Sequence, residues 1–393
     1  MEKTVYLDGA RSTYLNNQVL AEMMPVLSSN YACASSQHFL GRESRELVEK
    51  ARRRVAKGIN ARSSEIIFTS GATEANNLAI LGLARANSDK GRHIIVSKIE
   101  QPSILLACKR LEKEGYKVTY LPVDKFGMVS LSALMHEIKK DTILVSIAIA
   151  NYQVGTIQNL NAIARTVKEK DIIFHCDATY ALGNININVR DLNIDAMTMS
   201  SSKIYGPEAV GALYVKNGVE IESVMVGDGQ ENGKRAGEQN VANIVGFGKA
   251  VELATQDVTI NAQKLRSLRE YFTKQVKEKI ENAHLLGHPH QRRSNMVTFA
   301  FEFVDADALT NLLDQAGICV SSLSDCSNSR NEVSGVLKAM GLDKTLIKSA
   351  VRFSLVKNVS KDDLDYVVDE LVKSVKKLRE ISSLHISVVD KED

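Results

Sequence analysis

The sequence predicts an α/β fold, with a mostly parallel sheet in a large first part and a smaller α+β unit after it. Through most of the chain, short apolar runs alternate with amphipathic helical patterns, which is typical of a parallel sheet with helices on both faces. From about residue 295 the order changes to strand, helix, strand, loop, helix, strand and helix. That order indicates a compact second unit.

The elements of the first part follow from the spacing of apolar residues. Strands are predicted at residues 5–8, 65–69, 93–97, 117–122, 142–148 and 209–215, and in the runs DIIFHCD and AMTMS that end at residues 177 and 200. Helices are predicted at residues 42–59, from about residue 75, and at residues 103–114, 131–139, 160–168, 243–254 and 263–279. A glycine-rich loop, GDGQENGKRAG, covers residues 227–237.

The second unit begins with the strand MVTFAFEF. A helix over residues 306–316, a strand over 318–322, a loop over 323–331, a helix over 333–340, the strand AVRFSL and a final helix over 361–381 follow it.

The composition excludes several classes of protein. Of the 393 residues, 44% are hydrophobic and 25% are charged, and a net charge of +3 does not favour nucleic acid or a membrane surface as a partner. No apolar run is long enough to span a membrane, and the first residues lack the apolar core of a signal peptide. The five scattered cysteines include no CxxC pair, which favours a reducing compartment over a disulfide framework or a zinc site. We therefore expect a cytoplasmic protein without a metal site.

Polar residues directly follow two of the apolar runs. Asp177 ends one run, and Lys203 follows another after Ser200, Ser201 and Ser202. In enzymes that use pyridoxal 5'-phosphate (PLP), a lysine forms a Schiff base with the cofactor and an acid keeps the pyridine nitrogen protonated. The three hydroxyls could bind the phosphate. A lysine after a strand is also commonly a solvated surface residue, so this pattern alone leaves both interpretations open.

A second feature is the turn SGATE after the strand over residues 65–69. Free backbone N–H groups at the start of the following helix would make an anion site there, although a plain strand-to-helix connection has the same pattern. Thr73 in this turn, Asn151, Asp177 and the turn before Lys203 all follow predicted strands. Ligands of parallel sheets bind beyond the carboxyl ends of the strands, so this convergence favours the PLP interpretation.

Several motifs resemble those of the NifS/IscS-type cysteine desulfurases, in the class V aminotransferase group of fold-type I PLP-dependent transferases. These motifs are EIIFTSGATEANNLAI, DTILVSI, HCDAT, SKIYGPEAVGALYVK and VRFSL. The resemblance covers nearly the whole chain and implies a seven-stranded, mostly parallel sheet. It implies a large PLP-binding domain over residues 14–255 and a small domain made of residues 1–13 and 256–393, which carries a cysteine loop. It also implies a homodimer.

The resemblance implies a role for each matched residue. Lys203 would form the Schiff base and act as acid and base at Cα, and Asp177 would pair with the pyridine nitrogen. Asn151 and Arg352 would bind the substrate carboxylate, Arg352 by a bidentate pair. Cys326 would be the nucleophile that takes sulfur from L-cysteine, releasing L-alanine. The persulfide would then pass to an acceptor protein, for iron–sulfur clusters or thio-modification of cofactors or tRNA.

The phosphate and the ring would be held partly by residues that depart from the family pattern. Thr73, the backbone of Ala72 and Ser200 match phosphate-binding positions, while Ser202 replaces a histidine there. Tyr180 replaces a glutamine that bonds the cofactor's phenolic oxygen. Gln101 replaces a catalytic histidine stacked on the ring; it can cover the ring but cannot shuttle a proton near neutral pH.

Three further departures bear on the substrate and the partner subunit. Arg11 is a cation near the expected substrate entrance. Glu238 puts a carboxylate where the family lends a threonine to the partner's phosphate, and a carboxylate facing a phosphate is unfavourable. Asp325, next to Cys326, would raise the pKa of the thiol and lower its thiolate fraction.

These departures keep three hypotheses open. The first is a cysteine desulfurase. The second is another PLP reaction on this scaffold, such as a lyase, racemase or transaminase step on a different amino acid. The third is a degenerate, non-catalytic paralogue that serves as a dimeric scaffold.

Overall fold

The computed structural model of the chain describes residues 3–256, 258–323 and 334–382. Within these ranges the strands are β1 (Val5–Tyr6), β2 (Ile66–Thr69), β3 (His93–Ser97), β4 (Lys117–Leu121), β5 (Thr142–Ser146), β6 (Ile173–Asp177), β7 (Ala196–Ser200), β8 (Gly211–Val215), β9 (Ala283–Leu286), β10 (Met296–Phe301), β11 (Ile318–Cys319), β12 (Ser321–Ser322) and β13 (Ala350–Ser354).

The helices lie between strands along the chain, except for the last one, which follows β13. They are α1 (Asn17–Ser29), α2 (Phe39–Gly58), α3 (Ala72–Asn77), α4 (Leu83–Ala86), α5 (Pro102–Lys113), α6 (Leu131–Glu137), α7 (Leu160–Lys168), α8 (Val241–Gln256), α9 (Val258–Lys279), α10 (Ala306–Gln315), α11 (Gly335–Ala339), α12 (Lys344–Lys348) and α13 (Lys361–Glu380). A π-helical segment, Leu78–Gly82, joins α3 to α4 without a break. None of these helices combines the length and apolar character needed to cross a membrane.

Seven strands form one mixed sheet in the order β2-β8-β7-β6-β5-β3-β4. Only β8 runs antiparallel to its neighbours, β2 and β7, and every other pair is parallel. Strands such as β5, β7 and β8 are buried at all their positions, which explains their unbroken apolar runs. The prediction of a mostly parallel, seven-stranded sheet is therefore confirmed.

A second, four-stranded antiparallel sheet follows the order β12-β13-β10-β9. The N-terminal strand β1 pairs in parallel with β11, with Val5 opposite Ile318, so the start of the chain packs against its C-terminal third. The single strand predicted over residues 318–322 is wrong in detail. Its two halves belong to different sheets, because β11 pairs with β1 while β12 pairs with β13.

Other differences from the prediction are local. Helix α3 begins at Ala72, not near residue 75, so its first turn directly follows the glycine turn after β2. The elements α1, β9 and α12 were not predicted. Helix α1 contains Pro25, and β9 is a partly exposed edge strand without an alternating pattern, so neither has a strong local signature.

Close backbone packing fixes the turn between β2 and α3. Gly71 has φ of +150°, a conformation that residues with a side chain rarely adopt, and Gly211 on β8 lies directly against it. A Cβ on Gly211 would come within 2.5 Å of the carbonyl oxygen of Met199 and 2.9 Å of the backbone of Gly71. Both positions therefore require glycine.

A buried ion pair attaches the glycine-rich loop to the main sheet. The guanidinium of Arg52 on α2 donates to both carboxylate oxygens of Glu231, at 2.6 and 2.9 Å. The same carboxylate accepts the backbone N–H of Phe68 on β2 at 2.9 Å, and Arg52 also donates to the carbonyl of Ile66. Glu231 itself has φ of 50°, so this contact holds the loop in a left-handed conformation.

Replacing Glu231 by alanine is expected to destabilise the protein severely. The change removes the bidentate partner of the buried Arg52 guanidinium and leaves only the partly exposed Glu49 as its counter-ion, a defect that costs about 3 kcal/mol in the free energy of unfolding. Urea unfolding followed by circular dichroism measures the loss. The matched control is Glu46→Ala on the exposed face of α2, which should change the free energy by less than about 0.5 kcal/mol. Equal effects of the two substitutions would contradict this account.

Candidate active site

The polar residues predicted at strand ends converge on one edge of the main sheet. Asp177 is the last residue of β6, and Ser200 is the last residue of β7. Asn151 lies shortly after β5, and Thr73 lies in the first turn of α3 after β2. Lys203 follows β7 in the adjoining turn. The parallel strands and the turn after β2 thus bring together the residues that the sequence singled out.

Asp177 is a buried carboxylate held by three donors. It is 2% exposed; its Oδ2 accepts from Asn76 Nδ2 at 2.9 Å and from Gln101 Nε2 at 2.6 Å, and its Oδ1 accepts from the N–H of Thr179 at 2.8 Å. Burial raises the pKa of this carboxyl, and the three hydrogen bonds oppose that rise. No Lys or Arg of the described chain forms an ion pair with Asp177. A protonated ring nitrogen would supply the missing positive charge.

Lys203 is a partly buried amine with a lowered pKa. Its Nζ donates to the backbone carbonyl of Arg11. Burial, and then the positive charges of Arg352 and Arg293, lower its pKa to about 8. An amine with such a pKa is partly neutral in mildly alkaline solution, and the neutral form is the nucleophile that an aldehyde requires.

The turn after β2 has the properties of an anion cradle. The first N–H groups of any helix, here those near Ala72 and Thr73, lack acceptors within the helix, and the space beside Gly71 is open. Ser200 Oγ and Ser202 Oγ lie 3.4 Å apart near this edge. The hydroxyl of Ser201 is buried without a hydrogen-bond partner. The helix N–H groups and the hydroxyls of Ser200 and Ser202 fit a phosphate group, whereas the Ser201 hydroxyl lies against Gly206.

The guanidinium of Arg352, in the middle of β13, already has hydrogen-bond partners within the protein. Its Nη2 lies 3.0 Å from Asp8 Oδ1 and 3.1 Å from Ser321 Oγ, and its Nη1 donates to the carbonyl of Tyr152 at 3.1 Å. Its Nε is buried without a partner. A substrate carboxylate that forms the predicted bidentate pair must therefore displace Asp8.

The side-chain amide of Asn151 also forms hydrogen bonds within the protein, mostly to its own loop. Its Oδ1 accepts the N–H groups of Gln153 and Val154, and its Nδ2 donates to the carbonyl of Ile99 at 3.1 Å. In this arrangement the side chain shapes the loop that follows β5. Substrate binding by Asn151 would require its amide to exchange one of these bonds.

Gln101 and Tyr180 line the space between Asp177 and the second sheet. Gln101 is the N-cap residue of α5, and Pro102 occupies the first helical position. The ring of Tyr180 lies 6.1 Å from that of Tyr152, between ring centroids, and the guanidinium of Arg293 lies 5.4 Å from the centroid of Tyr180.

The sequence reasoning missed three residues of this region. Asn76, one turn after Ala72, shares Asp177 with Gln101, and its helical spacing from Thr73 was the available signal. Glu100 is buried, accepts the N–H of Ala148, and burial raises its pKa to about 8. Arg293 stands in the polar segment QRRSN, which has no pattern that predicts burial.

The remaining predicted residues lie at the margin of the site or outside it. Cys326 and Asp325 lie outside the described residues. Arg11 and Glu238 are exposed. Ser321, close before the predicted cysteine loop, contacts both Arg352 and Asp8, so the start of that loop lies beside the predicted carboxylate site.

Comparison with known proteins shows which proteins the chain is similar to. The chain is 44% identical over 382 residues to the cysteine desulfurase IscS of Dictyoglomus turgidum, covering 97% of each. Its fold is similar to that of a solved NifS-like protein, with a TM-score of 0.90, 34% identity, and 95% and 100% of the two chains covered. It is also similar to a solved structure of SspA in complex with cysteine, with a TM-score of 0.80, 33% identity, and 90% and 99% covered.

The family model for class-V aminotransferases matches residues 5–367, nearly the whole length. The resemblance inferred from the motifs is therefore confirmed, and so is the fold-type I architecture. On this match and on the identity to its relatives, the chain belongs to the class-V aminotransferase family.

Proposed function

We propose that this chain is a PLP-dependent cysteine desulfurase, which converts L-cysteine to L-alanine and holds the sulfur as a persulfide on Cys326. The proposal rests on two groups at the same sheet edge. One is the buried carboxylate of Asp177, which accepts three hydrogen bonds, and the other is the amine of Lys203, whose pKa is lowered. The relatives named cysteine desulfurase, with which the chain shares its full length, support the choice of reaction.

The described residues fit the cofactor. Asp177 would hold the pyridine nitrogen and Lys203 would carry the cofactor covalently. The backbone of Ala72 and the side chains of Thr73, Ser200 and Ser202 would hold the phosphate. Gln101 would cover the ring and Tyr180 would bond the phenolic oxygen. When bound, PLP supplies an electron sink for the Cα of an amino acid.

The protein's own groups would then move the proton and the sulfur. Lys203 Nζ accepts the proton from the substrate Cα. The thiolate of Cys326 attacks the sulfur of L-cysteine, a sulfur–sulfur bond forms and the carbon–sulfur bond breaks. The electron pair of the broken bond stays with the carbon skeleton, which leaves as L-alanine after protonation. Because Gln101 cannot carry a proton, that protonation falls to Lys203 or to water.

Arg352 and Asn151 would orient the substrate through its carboxylate. Asp8 pairs with this guanidinium in the structure, so the substrate would replace one carboxylate by another on Arg352. Arg352 keeps its bond to the Tyr152 carbonyl during this exchange, which preserves the orientation of the guanidinium.

The wider organisation is part of the same proposal. Residues 14–255 would form the large domain, and residues 1–13 with 256–393 the small one, a division supported by the pairing of β1 with β11.

A homodimer is supported by Leu20, Met24 and Leu27, which are exposed at helical spacing on α1. Cysteines without disulfides among the described residues support a reducing, cytoplasmic setting, with a sulfur-acceptor protein as the further partner.

Replacing Cys326 by alanine is expected to abolish sulfur transfer. Without the thiolate, no persulfide forms, and alanine production from L-cysteine should fall by at least about a hundredfold while the cofactor's visible absorbance remains. Alanine and sulfide assays measure the loss, with Lys203→Ala as the variant expected to lose the absorbance as well. The control is Cys108→Ala, which removes a buried thiol outside the site. Undiminished sulfur release by the Cys326 variant would disprove the mechanism.

The attachment of PLP to Lys203 is expected to depend on pH with a midpoint near 8. Below that value the amine is protonated and unreactive, and above it the amine is neutral, so the rate should rise with pH and then level off. Borohydride reduction and mass spectrometry of the Lys203 peptide would follow the rate. In Arg352→Met, the loss of a nearby cation should move the midpoint upward. A native midpoint at the ordinary lysine value of 10.5 would contradict the assignment.

A further inference from the structure

Arg293 is a buried cation that the proposed reaction does not use. It lies three residues before β10 and is 1% exposed. Its Nη1 lies 3.4 Å from the sulfur of Met296, a weak acceptor, and its Nε is buried without a hydrogen-bond partner. Over residues 3–256, 258–323 and 334–382, no carboxylate lies within ion-pair distance of this guanidinium.

Such an environment is unfavourable for a charge. Removing a guanidinium from water is costly unless an opposite charge or several hydrogen bonds compensate it, and here burial lowers the pKa of Arg293 to about 10. The neighbouring Arg292 differs, because its Nη2 donates to the carbonyls of Val154 and Leu286. Among the described residues, no anion therefore compensates the charge of Arg293.

Arg293 lies close to the proposed active site. Its guanidinium lies 5.4 Å from the ring centroid of Tyr180, and that ring lies 6.1 Å from the ring of Tyr152. The backbone carbonyl of Tyr152 accepts from Arg352, so both guanidiniums contact residues of the Tyr152–Tyr180 pair. Both are close enough to Lys203 to disfavour its protonated form.

The carboxylates of Asp8 and Asp177 already have partners within the protein. Asp8 pairs with Arg352, and Asp177 receives hydrogen bonds from Asn76, Gln101 and the backbone of Thr179. Neither acid forms an ion pair with Arg293. Among the described residues, the Tyr180 ring is the group that faces this charge, and an anion of a bound molecule would compensate it more fully.

We propose that Arg293 binds a second anionic group of the substrate or of an inhibitor, so that the site accepts amino acids whose side chain ends in a carboxylate or sulfinate. The inference rests on the proposed function, because Arg352 is taken to bind the α-carboxylate. Arg293, beside the ring of Tyr180, binds the side-chain acid. L-cysteine, whose side chain carries no acid of this kind, leaves Arg293 unpaired.

The test compares two unreactive four-carbon acids that differ in the second carboxylate. Isothermal titration calorimetry of the PLP-loaded protein with succinate and with butyrate gives the ratio of their dissociation constants. A charge-assisted hydrogen bond corresponds to about ten- to a hundredfold in affinity, so succinate should bind at least about tenfold more tightly. In Arg293→Met the ratio should fall to about one, with the affinity for butyrate unchanged.

Arg53→Met is the matched control, because Arg53 is an exposed arginine on α2, and it should keep the native ratio. Thermal unfolding checks that Arg293→Met is folded; if it is not, Arg293→Gln replaces it with the same expected loss. Equal binding of the two acids by the native protein, or an unchanged ratio in the Arg293 variant, would overturn the inference.

Sulfur release from L-cysteine, measured on the same preparations, separates the two proposals. Release without any succinate preference leaves the proposed function standing and removes the inference. A succinate preference that depends on Arg293, without sulfur release, supports the anion site and contradicts the desulfurase reaction.

Discussion

The buried charge of Asp177 is the constraint on which the site depends. It ends β6, the fourth of seven strands, where apolar helices and strands exclude water on both sides. A carboxylate there persists only if donors surround it, and the three it receives come from α3, from the N-cap of α5 and from its own turn. The same carboxylate therefore fixes how these helices meet the sheet and leaves a site that favours a cationic ring.

The opposite side of the site has an excess of positive charge. Arg352 and Arg293 are both buried, and within the part of the chain that the structure describes, Arg352 pairs with Asp8 while Arg293 has no acidic partner. Their charges help to lower the pKa of Lys203, which favours the neutral, nucleophilic amine. In the proposals above, the same two charges would activate the lysine and bind anionic groups of a ligand.

The parts of the fold that local pattern determines could be predicted from the sequence. Strand β3 and helix α7 have the predicted bounds, because a buried run or a strong amphipathic stripe defines each of them. The division of residues 318–322 between two sheets could not be predicted, because it depends on distant partners, about 30 residues away in β13 and more than 300 away in β1. Arg293 was missed for a related reason: the segment QRRSN looks solvated, and only the packing of β10 against the loop after β5 buries it.

In the proposed site, the pair between Asp8 and Arg352 would limit how strongly a substrate carboxylate binds. A carboxylate that replaces Asp8 gains a charge-assisted bond but loses the one already present, so the net gain in ground-state affinity is small. Orientation is not lost, because the Tyr152 carbonyl continues to hold the other arm of the guanidinium. The site therefore gains little from tight binding of one carboxylate and keeps the alignment that catalysis needs. In the proposed site, discrimination between amino acids would then fall on contacts beyond the α-carboxylate, and the buried guanidinium beside Tyr180 is the group proposed to make one of them.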